Sequence, residues 1–221
     1  MFDEQLYGTI EHLASYSVLL PALVCVIRIK ALNLTLWALF IYLILCFVVD
    51  QFYLGLLPNQ EKANRLINCW TVVECSFFCF IYFREAMNVG LKRTIAAVFT
   101  SFLLLSLLFF NNNLVAEDKV VLPAEAGLVI AFSVSAFIQM IFDRQTGKLI
   151  RNYFFWINCA LLLYFCTAIL IFIENDELLY LSEHEPMKAR QIWVVHDMIK
   201  LFANILITVG ICLWKRTPIQ L

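Results

Sequence analysis

The sequence predicts an all-α protein, a polytopic membrane helical bundle of seven transmembrane helices with its N-terminus outside and its C-terminus inside. Three observations carry that expectation. Of 221 residues, 62% are hydrophobic and 15% charged, at a mean hydropathy of +0.83. A soluble domain is about half apolar and about a quarter charged, and no soluble core hides this much apolar surface. Seven apolar stretches, residues 13–29, 34–57, 66–83, 94–110, 124–142, 153–173 and 191–214, each approach the length that crosses hydrocarbon at about 1.5 Å per residue. The basic residues, finally, divide unequally between alternate connections. The segments left over are loops, so the expectation is a single transmembrane domain over residues 1–221.

Helices are required because the backbone in lipid must satisfy its own N–H and C=O groups, and the alternating ten-residue strands of a barrel are absent. In the first span, Pro21 is expected to kink the helix by removing one backbone bond. Asp3 and Glu4 precede it where a secretory signal would be basic, so the span is read as retained. Arg28, Lys30 and Asn33 join it to the second span so tightly that the two form a hairpin. The third span carries Cys75 and Cys79 four apart. All eight cysteines fall inside spans, where they serve as small hydrophobes rather than as an exposed disulfide framework. Residues 111–123 and the acidic segment 174–190 are the longest connections and are expected to be loops. Glu125 is expected to be an interfacial charge at the mouth of the fifth span. Seven residues follow Trp214, so any signal is expected to leave through short loops or a protein partner on the inner face.

Orientation follows from the bases. The first, third and fifth connections and the C-terminal tail hold Arg28, Lys30, Arg84, Lys92, Arg93, Arg144, Lys148, Arg151, Lys215 and Arg216. Ten bases there face five elsewhere: Lys62, Arg65, Lys119, Lys188 and Arg190. Trp37, Trp156 and Trp214 fall at the proposed inner ends, Trp70 and Trp193 at the outer ends, where an indole is apolar on its face and wet at its N–H. The pairs Lys92-Arg93 and Lys215-Arg216 suit anionic headgroups of the bilayer, so no nucleic-acid partner is expected.

Ionisable groups inside spans are costly unless paired or wet, and so mark functional sites. Asp50 lies in the second span, Glu74 in the third, and His196, Asp197 and Lys200 in the seventh. Counted from the outer span ends they lie roughly 8–14 Å deep, in one layer. Asp197 and Lys200, or His196 and Lys200, share a helix face, and Asn204 continues that stripe a turn further in. Asn68 and Thr71 add hydrogen-bonding groups from the third span, and Asn158, Tyr164 and Thr167 from the sixth. Two readings stay open: a polar pocket opening outward that takes a small polar or amphipathic ligand, or an ion-pair network fastening the second, third and seventh spans.

No HExxH pair, GxSxG elbow or Gly-x-Gly-Asp element is present, so no catalytic residue and no metal site is assigned. Glu74 and His196 are what an intramembrane acid–base enzyme would use. Lys200 on the last helix invites comparison with the retinal-binding microbial rhodopsins. The third span lacks their Arg-Tyr-x-x-Asp-Trp pattern and the sixth their Trp-x-x-Tyr-Pro, and no cofactor is expected. A proton- or ion-coupled small-molecule transporter would need polar groups through the inner halves of the spans. Residues 38–49, 77–83 and 205–213 are mostly apolar, with Tyr42, Tyr82 and Thr208 the exceptions, which favours a closed floor and a binding or sensing role.

Cys69-Trp70-Thr71-Val72-Val73-Glu74 and Trp193-Val194-Val195-His196 supply an aromatic-Thr-x-x-Glu element and a Trp-x-x-His element. In these the chain resembles a group of small bacterial seven-span integral membrane proteins of unassigned function. The resemblance implies the seven-span architecture, a bacterial inner membrane and an interest in Glu74 and His196. It implies no activity.

Overall fold

The computed structural model describes residues 2–56, 60–110, 114–142 and 149–215, and among them the secondary structure is entirely helical. Among the described residues seven stretches are long and apolar enough to cross a membrane: Leu6–Ile27, Leu34–Tyr53, Arg65–Glu85, Val89–Leu108, Val120–Phe142, Tyr153–Ile173 and Pro186–Leu213. Between 17% and 39% of the apolar window in each is buried inside the protein.

The first span is two helices, α1 (Phe2–Ser17) and α2 (Leu19–Ile27). The break falls at Val18, one turn before Pro21, because the proline ring has no N–H for the carbonyl of Ser17. A short 3₁₀ turn, Ile29–Ala31, makes the expected hairpin into α3 (Leu34–Leu56). Asn33 Oδ1 caps that helix by accepting from the Leu36 N–H at 2.8 Å. Then come α4 (Gln60–Glu85), α5 (Val89–Phe110) and α6 (Leu114–Phe142). A second 3₁₀ turn, Leu149–Arg151, leads to α7 (Tyr153–Ile173), capped by Asn152. The chain ends in α8 (Asn175–His184) and α9 (Pro186–Leu213).

Two expected loops are corrected. α6 extends back to Leu114 and holds Pro123 in its interior, where the flanking turns carry the helix across one missing bond. Most of segment 111–123 is therefore helix, while Asn111, Asn112 and Asn113 lie outside the described residues. Segment 174–190 is α8 plus the first turn of α9, with Pro186 at the first position of that helix, where a proline's missing N–H costs nothing. Asp143, Arg144, Lys148 and Arg216 also lie outside the described residues.

Contacts close a circuit of α1/α2, α3, α4, α6, α7 and α9, with α5 packed on α4 and α6. Arg190 near the start of α9 pairs with Glu11 of α1 at 2.9 Å, and Arg28 at the end of α2 reaches the end of α9. The first and last spans are thus parallel, and the termini lie at opposite ends. These are called here the N-terminal and C-terminal ends of the bundle. The middle is aromatic: Tyr42 of α3 packs against Trp70, Phe77 and Phe78 of α4, and Phe78 meets Phe165 of α7 edge-on at 5.2 Å. At Gly210 α9 packs close against α7, since a Cβ there would lie 2.8 Å from the Tyr153 carbonyl oxygen.

Candidate functional site

Helix α4 presents two adjacent faces. Trp70, Glu74 and Phe77 turn towards α3, while Asn68, Thr71, Cys75, Phe78, Cys79 and Tyr82 form the buried stripe. Glu74 accepts the Tyr42 hydroxyl proton at 2.6 Å, with the Trp70 side chain as a further hydrogen-bonding neighbour. The tryptophan and glutamate of the aromatic-Thr-x-x-Glu element thus act on one group. Thr71, the element's third member, instead back-bonds to the Ile67 carbonyl at 3.0 Å, and Asn68 is buried beside it.

Lys200 does not pair along its own helix with Asp197 or His196. Its ammonium crosses to α3 and meets Asp50 at 2.6 Å, with the two side chains 20% and 30% exposed. Asp197 and Glu74 lie within electrostatic reach of that pair. Asn204 donates to the Ser17 hydroxyl at 2.7 Å, and that hydroxyl donates to the Ala14 carbonyl at 2.6 Å. A polar stitch therefore sits where the first span is broken. The His196 ring packs near Tyr164 and Trp193, at 5.1 and 6.1 Å between centroids, and its Nδ1 is buried without a hydrogen-bond partner. The structure thus joins Asp50 to Lys200 and Glu74 to Tyr42, places His196 and Asp197 beside them on α9, and turns Asn68 and Thr71 to a different face.

Glu125 is a correction. Instead of an interfacial charge it is 2% exposed, with Oε1 buried and unpartnered. The reason is the backward extension of α6, which puts Glu125 inside the helix rather than at its mouth. Asn158 also departs from expectation. It joins a separate network nearer the C-terminal end, where Tyr82 donates to Asn158 Oδ1 at 2.8 Å and sits 2.5 Å from Ser133 Oγ. The Asn158 amide in turn donates to the Ser133 carbonyl at 2.9 Å. Because the single Tyr82 proton goes to Asn158, the Ser133 hydroxyl donates to Tyr82. Thr167 spends its hydroxyl on its own helix, at Leu163 and Tyr164.

Composition did not reveal the C-terminal end. Glu85 Oε1 accepts from Thr35 Oγ1 and from the Tyr153 hydroxyl, each at 2.6 Å, and Asn33 donates to that hydroxyl at 3.0 Å. Arg28 donates to the carbonyls of Ile211, Cys212 and Trp214, and the Trp214 indole donates to the Ala31 carbonyl at 2.6 Å. These carbonyls are the ones a helix end leaves without partners, and a cation there also meets the negative end of the helix dipole. A cavity of about 160 Å³, lined in part by Tyr82, Glu85, Gln139 and Asn152, lies between this network and that of Tyr82. Polar groups therefore stand at the C-terminal end as well as in the N-terminal half: Thr35 of α3, Tyr82 and Glu85 of α4, Ser133 of α6, and Tyr153 and Asn158 of α7.

The remaining sulfur-bearing and charged side chains make local contacts. Cys75 and Cys79 sulfurs lie 4.0 Å apart in the core, and the described cysteines are free thiols. His184 stacks on Tyr180 and its Nδ1 faces the Tyr180 carbonyl at 3.0 Å, while Glu185 pairs with Lys188. Among the described residues no group of three or more His, Cys, Asp or Glu is placed to hold a metal ion. Comparison with protein-family models, with curated proteins and with solved structures finds no match to this chain.

Proposed function

We propose that this integral membrane protein is an ion-coupled carrier of a small molecule, oriented N-out and C-in. One observation carries the reading: polar side chains recur along the length of the bundle. In order from the N-terminal end they are Lys200 with Asp50, Glu74 with Tyr42, Tyr82 with Ser133 and Asn158, then Glu85 with Tyr153 and Thr35. A membrane protein keeps such groups in its interior at an energetic cost, and relays of carboxylates and hydroxyls are how ions and protons are passed between the two faces. A fastening role alone accounts for the two ends. It leaves the buried step at Tyr82, eight residues along α4 from Glu74 and three from Glu85, without a reason.

The test is flux in proteoliposomes carrying an internal pH- or sodium-sensitive dye. A gradient should dissipate faster with the wild type than in empty vesicles, and Glu74→Gln should abolish the difference. Equal dissipation in all three would remove the proposal. Reporter fusions at the N-terminus and at Gly90 test the orientation.

A second reading is supported by a separate observation. The buried, unpartnered Nδ1 of His196, flanked by Tyr164 and Trp193, suits an outward-facing site for a small polar or amphipathic ligand. A ligand binding there to the folded state raises its thermal stability by mass action. Stabilisation by a screened compound, lost in His196→Ala without any flux in the wild type, would favour sensing through an inner-face partner over transport.

A further inference from the structure

Helix α5 buries a stripe made of Ile95, Phe102 and Ser106, spaced seven and then four residues apart. On α6, Glu125, Phe132 and Ala136 lie on one face at the same spacing. The two stripes face each other, because Ile95 lines the same cavity as Phe132 and Ala136. Ser106 lies eleven residues beyond that cavity along α5, and Glu125 lies seven to eleven residues back along the antiparallel α6. The two side chains therefore stand within about one helical turn of the same level. Both are nine-tenths buried or more, at 4% and 2% exposure, and both hold a polar atom without a partner, Ser106 Oγ and Glu125 Oε1.

Among the described residues, the charged and titratable groups within reach of Glu125 are Glu74, Cys75 and Cys79 on α4 and Tyr164 on α7. None of them is a cation, and at this level the described residues of α5 offer the Ser106 hydroxyl. Lys200 is committed to Asp50 across the bundle. A buried carboxylate with neither a donor nor a counter-charge calls for a positive ion from solution. Oxygen donors are the ligands of hard cations.

We infer that Glu125 and Ser106, between α5 and α6, form a binding site for a small monovalent cation, a proton or a sodium ion. The cation's role as the coupling ion rests on the carrier reading. Its binding does not.

The experiment is thermal unfolding of the purified full-length protein in detergent, at constant ionic strength, in sodium, potassium or choline chloride across a pH series. Wild-type stability should rise with sodium at fixed pH if sodium is the ligand, or on acidification in choline alone if the proton is. Glu125→Gln should remove that response, Glu125→Asp should retain it, and Ser106→Ala should weaken it by about tenfold in concentration. The retained response of Glu125→Asp separates loss of the site from loss of the fold. A wild type indifferent to both ions, or a Glu125→Gln variant that responds like the wild type, overturns the inference. The two proposals fail separately. Cation-dependent stability without wild-type flux leaves the site standing and removes the carrier, whereas wild-type flux with an unchanged Glu125→Gln response removes the site alone.

Discussion

At the C-terminal end of the bundle, Glu85 accepts from two hydroxyls, Arg28 covers the carbonyls of Ile211, Cys212 and Trp214, and the Trp214 indole closes onto Ala31. In the N-terminal half stand Ser106, Glu125 and His196, which among the described residues are the side chains holding a buried polar atom without a partner. The same residue types occur at both ends, so the difference is one of satisfaction. Saturated networks fix helices in place, and orphaned buried groups lower stability unless something else binds them. The C-terminal end has the character of a fastening, and the N-terminal half that of a site.

The comparison breaks most readily at Arg28. Replacing it with alanine leaves several carbonyls at the end of α9 without their charged donor, and we expect a loss of about 3 kcal/mol, read as a lowered unfolding midpoint in detergent. Lysine at that position should recover only part, because it lacks the planar fork of donors. Gly210→Ala should cost about 1–3 kcal/mol by forcing α9 away from the Tyr153 carbonyl. That variant separates close helix approach from hydrogen bonding as the source of rigidity at this end.

Asp50 and Lys200 sharpen the contrast from the other side. Lys200→Met strands a partly buried carboxylate and should cost about 2 kcal/mol, discounted for the pair's partial exposure. Adding Asp50→Leu should return most of that loss, since two apolar side chains need no counter-charge. If the double variant stays as unstable as the single one, Asp50 has a further partner. Smallest of all, His196→Ala should change stability by about 0.5 kcal/mol or less, because its Nδ1 makes no bond to lose. A large loss there would move His196 into the fastening class.

How far the sequence revealed this arrangement depended on how rare each signal is. The seven spans were legible because twenty apolar residues in a row are rare outside membranes. Asp50, Glu74 and Lys200 stood out for the same reason, since a charge within such a run is conspicuous. Glu85 did not, because it follows Arg84 at a span end and reads as a loop acid. Tyr153, Thr35 and Asn33 are ordinary residues there, and only tertiary contact joins them to it. Glu125 was misplaced by Pro123, which punctuates soluble helices but is carried inside α6. The spacing of Glu125 to Phe132 and Ala136 was the available signal that it belongs to a buried face. The acidic composition of segment 174–190 likewise hid α8, whose helical pattern is short and weakly apolar.

The most direct measurement is the current recorded on a solid-supported membrane when a reconstituted sample meets a step in pH or sodium concentration, which requires no knowledge of the carried molecule. If ions enter the N-terminal half and pass along the polar series, the wild type gives a transient current that Glu74→Gln abolishes and that His196→Ala leaves in place. A wild type that gives no current under either step, or a Glu74→Gln variant whose current matches the wild type, would contradict the account.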